Sequence, residues 1–169
     1  MSLDSVSVWI EAHPGMASWV QAFGSIAAIL LAVFIASRDA RLRRKAEANA
    51  RLGAIDRAMI AINDAGMRVS NALQTLERFG VRRSVMALIA TDLDQSQQHL
   101  KETLSIQGVD ADIYAQIFVA RTAVETAGHT FRVLAGLSDS EEFDVHTAKA
   151  ALEDIVVAYD NLKALKESA

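Results

Sequence analysis

The sequence predicts an all-α protein: a single N-terminal transmembrane helix followed by a cytoplasmic antiparallel four-helix bundle. Three observations carry this. Residues Ala12 to Ser37 hold no formally charged side chain, and the next eight hold five basic ones: Arg38, Arg41, Arg43, Arg44 and Lys45. The single proline, Pro14, leaves 155 residues after it free of that helix breaker. From Leu52 onward, apolar residues recur at helical spacing in four stripes separated by short breaks. Hydrophobic residues make up 51% and aromatics only 6%, and no β-branched or aromatic run alternates with period two, so a sheet is not expected. Cysteine is absent, which excludes disulfides, thiolate metal sites and cysteine nucleophiles and suits a reducing cytoplasm.

Residues 1–15 read as a short extracytoplasmic tail. Leu3, Val6, Trp9 and Ile10 fall on one helical face, as an amphipathic turn on the outer leaflet would need, although a piece so short equally suits a disordered tail. His13-Pro14-Gly15 ends it, and the transmembrane helix is expected over 16–37, starting at about Met16. Its core, Trp19 to Ala36, is close to the roughly 20 apolar residues that cross a bilayer. Trp9 and Trp19 stand where interfacial aromatic anchors belong. The basic cluster lies on one flank only, so the positive-inside rule puts that flank in the cytoplasm and the amino terminus outside. A cleaved signal peptide would need a basic start and a small-residue cleavage site; here only Asp4 and Glu11 precede the apolar stretch, and Arg38 follows it. A buried helix of a soluble domain would explain the moderate apolarity of the segment but not its one-sided charge.

Within the span, residues sort by size. Gly24, Ala28 and Ala32 recur every four positions, with Gln21 and Ser25 on the same side, while Trp19, Phe23, Ile26, Leu30 and Val33 lie roughly opposite. A small-residue face lets helix backbones approach closely in lipid, and Gln21 and Ser25 would add interhelical hydrogen bonds of about 1 kcal/mol each. Self-association into a homo-oligomer is therefore expected through Gln21, Gly24, Ser25, Ala28 and Ala32. No ionisable residue lies inside the span, so a proton relay or ion-coupled transporter has nothing to work with.

The stretch Trp-Val-Gln-Ala-Phe-Gly-Ser-Ile-Ala-Ala-Ile (19–29), followed closely by arginines, resembles the start of short bacterial and prophage-encoded single-span membrane proteins. The resemblance covers about 25 residues and brings no assigned activity. It implies a bacterial inner-membrane location.

Residues 38–51 form a basic juxtamembrane helix or linker. Arg38, Arg41, Arg43, Arg44 and Lys45 are expected to contact anionic lipid, each attracted by about 1 kcal/mol near the surface. Net charge is −4 overall, but residues 37–83 carry +6 and residues 84–169 carry −8. The expected picture is a molecule standing with its basic end at the bilayer and its acidic end in the cytosol. Nucleic acid is not the expected partner, because the cluster lacks interleaved aromatics and faces a membrane.

Residues 52–169 form the bundle. Leu52, Ile55, Met59, Ile62, Gly66, Val69, Leu73 and Leu76 follow the alternating three-four spacing of a coiled-coil heptad. Charges do not flank this seam as in a two-stranded zipper; Ala58, Ala65 and Ala72 widen it on one side, which suits a helix with two neighbours. A weaker stripe runs through Met86, Ile89, Leu93, Ser96, Leu100 and Thr103. The third runs Ile113, Ile117, Ala120, Val124, Ala127, Phe131 and Leu134, with Asp110 as N-cap and Gly136 just past the end. The fourth runs Val145, Ala148, Leu152, Ile155, Tyr159 and Leu162. Breaks at Phe79-Gly80, at 105–109 and at 136–140 are of the length that joins antiparallel neighbours. Ile60, Met67, Tyr114 and Phe118 lie off the stripes and are expected to widen the core, or else to form a partner surface.

The sequence carries no recognisable catalytic constellation. His13, His99, His129 and His146 have no second histidine three or four positions away to make a metal pair, and no Glu-x-x-His motif of the bundle di-metal type occurs. The eight glycines form no phosphate-cradling loop, and no G-x-S-x-G is present. No cofactor, metal or catalytic residue is expected. The function expected is therefore that of a non-enzymatic membrane-anchored interaction or assembly module with a cytoplasmic protein partner. The alternative is an oligomeric membrane-perturbing effector of the toxin, holin-like or phage-defence kind.

Overall fold

The computed structural model describes residues 14–136 and 145–168. Among these residues there are four α-helices and no strand: α1 (Pro14–Phe79), α2 (Arg83–Thr103), α3 (Ala111–Gly136) and α4 (His146–Glu167). The tail of residues 1–13, with Trp9 and His13, and the connection beyond Gly136 lie outside the described residues. The chain divides into two compact units, Met1–Ala46 and Glu47–Ala169, and α1 contributes to both.

Local chemistry explains the ends of these helices. α1 begins at Pro14, slightly ahead of the expected Met16, because a proline in the first turn lacks an N–H that would have had no acceptor there. It then continues for 66 residues, so the passage from apolar span to basic stretch to heptad stripe is made without a break in the helix. Gly53 and Gly66, at about 1 kcal/mol each, do not interrupt it. Gly80 ends it: with φ +68°, it occupies the left-handed cap position, and its amide donates to the Leu76 carbonyl at 2.9 Å. Between α2 and α3 the chain turns through Gly108, whose φ is +95°. Asp110 caps α3 as the spacing predicts, its Oδ1 accepting from the Ile113 amide at 3.0 Å. Gly136 is the last residue of α3 rather than the first beyond it.

In the second unit, all four helices contribute to one hydrophobic core. Ile55, Ile62, Val69 and Leu76 of α1 join Met86, Leu93 and Leu100 of α2, Ile113, Val124 and Phe131 of α3, and Ile155 and Leu162 of α4. Alanine fills much of the remainder. Ala58, Ala65 and Ala72 are buried as the widened stripe predicts, and so are Ala54 and Ala61. On α4 the buried face is Ala148, Ala151, Ile155, Ala158 and Leu162, while the larger Val145, Leu152 and Tyr159 sit half-buried at its edge. Small side chains on the contact line let the helix axes approach, which leaves the large ones at the margins. Gly66 belongs to this pattern: a Cβ there would lie 3.2 Å from Ile155 Cγ2.

Polar pairs tie the helices of this unit together at their rims. Glu77 of α1 meets Lys149 of α4 at 3.3 Å, and Asp56 meets Lys166 at 2.7 Å. Arg68 of α1 holds Asp64 at 2.8 Å and also Asp92 of α2. Arg132 of α3 reaches Asp94 of α2 at 3.2 Å, and Gln97 donates to Glu125 at 2.8 Å. Asn161 of α4 donates to Gln116 of α3 at 3.0 Å.

Candidate functional site

One helix among the described residues, α1, is long and apolar enough to cross a membrane, and the apolar part lies near the amino terminus. Among the described residues, none of that apolar part is buried. Trp19, Phe23, Ile26, Leu30 and Val33 are between 55% and 67% exposed. A stretch of this size left open to solvent would be strongly unfavourable, at about 25 cal/mol for each Å² of apolar surface. The rings of Trp19 and Phe23 stack at 5.8 Å.

A helix turns about 100° per residue, so its positions fix which side chains share a side. Gln21, Gly24, Ser25, Ala28 and Ala32 fall within an arc of about 100°, and the bulky set lies opposite. All five are exposed, and nothing approaches within 4 Å of where a Gly24 Cβ would stand. Ser25 differs from expectation in one respect. Its hydroxyl donates back to the Gln21 carbonyl at 2.9 Å, so the proton is used within the helix and only the oxygen remains to accept.

Arg38, Arg41, Arg43, Arg44 and Lys45 are exposed, and none forms an ion pair with a described residue. By the same rotation, Arg41 and Arg44 lie on the side of the bulky apolar residues, Arg38 and Lys45 fall on the flank between the two sides, and Arg43 falls with Asp39 on the small-residue side. Two of the five cations thus continue the bulky apolar side, and only Arg43 continues the small one.

Among its described residues, the second unit brings no three His, Asp or Glu side chains together as a metal-ligating cluster. His99, His129 and His146 are exposed. Its perturbed groups are structural: the Ile113 amide and then Arg51 hold the Asp110 carboxyl below the usual carboxylate range, and Asp56 raises Lys166.

What this unit does present is exposed apolar surface. Ile60, Met67, Tyr114 and Phe118 do not widen the core; they are exposed by 68%, 54%, 49% and 46%. The rings of Tyr114 and Phe118 stack at 6.3 Å, and the Arg121 guanidinium lies 5.7 Å over Phe118. Phe79, which the sequence marked only as part of a break, and Leu88, which it did not single out, are 58% and 71% exposed. The signal for them was present as large apolar residues outside the stripes, but only packing distinguishes an open position from a second layer of core.

Compared with protein-family models, with curated proteins and with solved structures, the chain matches none.

Proposed function

We propose that the protein is a non-enzymatic, membrane-anchored interaction or assembly module of the bacterial inner membrane. Residues 16–37 cross the bilayer with the amino terminus outside, and Glu47–Ala169 works in the cytoplasm as an antiparallel four-helix bundle. The observation that carries this reading is the exposure of Trp19, Phe23, Leu30 and Val33 in a helix that also supplies part of the packed core through Ile55, Ile62 and Val69. The pairs Glu77–Lys149 and Asp56–Lys166 support the antiparallel arrangement of α1 and α4, because the end of one meets the start of the other. The one-sided cations support the orientation. Anionic lipid, further copies of the chain and a cytoplasmic protein are the partners proposed.

Native pull-down from membranes tests this. A reproducible partner supports the module; recovery of the protein alone, with hydrolase or transferase activity in the pure fraction, refutes it.

The open face around Gly24 favours a second reading, an oligomeric membrane-perturbing effector that clusters through this face. Induced expression separates the two. Rapid loss of membrane potential selects the effector, and unimpaired growth selects the module.

A further inference from the structure

We infer that the turn joining α1 to α2 is a docking site for an acidic, apolar-bearing polypeptide segment of a partner protein, an inference that rests on the interaction-module reading. Arg78, Arg82 and Arg83 are exposed there, and none pairs with a carboxylate of the described residues. Yet carboxylates abound, since residues 84–169 carry a net −8. Elsewhere in the unit, Arg51, Arg68 and Arg132 each reach a carboxylate of another segment. Arg57 and Arg121 also lack an ion pair with a described residue, but only at the turn does this unit place three such arginines within six positions.

Apolar surface accompanies them. Phe79, next to Arg78, is 58% exposed, and Leu88 is 71% exposed. Leu88 and Thr75 line a cavity of about 270 Å³ between α1 and α2. Phe79 follows Thr75 by one helical turn and so continues the same wall. Aromatic and arginine side chains together are the composition from which interface anchors are made.

The shape and charge of this place select the occupant. A bilayer is planar and would touch only the rim of a groove, whereas a chain segment can lie in it. Nucleic acid would find only one exposed ring, Phe79, to stack on. An acidic segment meets both features, its carboxylates on the arginines and an apolar side chain between Phe79 and Leu88.

The test uses the full-length protein in nanodiscs of zwitterionic phosphatidylcholine and a short labelled peptide of glutamate, leucine and alanine, read by fluorescence anisotropy. Binding is expected, weakening as salt rises. It should fall at least about tenfold in an R78E/R82E/R83E variant and again in F79S/L88S, all exposed positions that leave the core intact. Equal binding by these variants, or no binding by the parent, overturns the proposal. So does tighter, arginine-dependent binding of an oligonucleotide or of phosphatidylserine vesicles. Tighter peptide binding when Asp139, Glu141, Glu142 and Asp144 are changed to serine would make the chain's own connection the occupant and also overturns it. If pull-down recovers the same partner from R78E/R82E/R83E membranes, the site is wrong while the module reading stands.

Discussion

Arg51 Nε donates to Asp110 Oδ2 at 2.5 Å, joining residues 59 positions apart in the chain. The same carboxyl caps α3 through its other oxygen, so one side chain both starts a helix and fastens it to α1. Asp110→Ala should therefore cost about 1 kcal/mol from the cap alone, and Asp110→Asn less, since an amide oxygen still caps. Urea denaturation of the two variants beside the parent measures the difference.

The pH dependence of that contribution has a defined sign. Asp110 titrates lower in the folded protein than in the unfolded chain, first because of the Ile113 amide and then because of Arg51. Its stabilisation is complete above the ordinary carboxylate value of about 4 and is lost as pH falls through that value toward the lowered one. Asp110→Asn should flatten this acid limb of the stability profile, and an unchanged limb would assign acid sensitivity to other groups.

Two glycines with positive φ make a matched comparison. A Cβ on Gly108 would run into the Ala50 carbonyl, whereas one on Gly80 would meet nothing within 4 Å. Both alanine variants incur the left-handed backbone cost of about 1–2 kcal/mol. Only Gly108→Ala must also displace the loop from α1, so its midpoint in thermal unfolding should fall well below that of Gly80→Ala.

The core and the exposed rings should separate in the same assay. Phe131 is fully buried, and Phe131→Ala should cost about 3–5 kcal/mol. Ala65, also at 0% exposure, should resist enlargement, with Ala65→Leu costing about 1–3 kcal/mol through overpacking. Phe118→Ala, at a half-open position, should change stability much less than either.

Self-association through the span is tested by enlarging its small face. Gly24→Leu and Ala28→Leu should weaken crosslinking in membranes without impairing insertion, because leucine inserts more readily than either residue. In parallel, the mass of the Glu47–Ala169 fragment is measured; it is expected to fold alone as a monomer. Undiminished crosslinking together with an oligomeric fragment would move the association out of the span.

The sequence by itself determined helix content, the apolar stretch and most of the core positions, because each depends on periodicity along one helix. Ile55, Ile62, Val69 and Leu76 were legible in this way, as were the cap at Asp110 and the turn at Gly80. Tertiary structure decided what periodicity leaves open. It put Ala151 and Ala158 on the α4 contact line and Leu152 and Tyr159 at its edge, since the distance between helix axes, and not the spacing within one, chooses between small and large residues. It also left Ile60, Met67, Phe79 and Leu88 exposed and paired Arg51 with Asp110, since exposure and long-range ion pairs depend on which helices become neighbours. The small face at Gly24 was readable from spacing alone, whereas the use of the Ser25 proton within its own helix required the coordinates of the carbonyl one turn away.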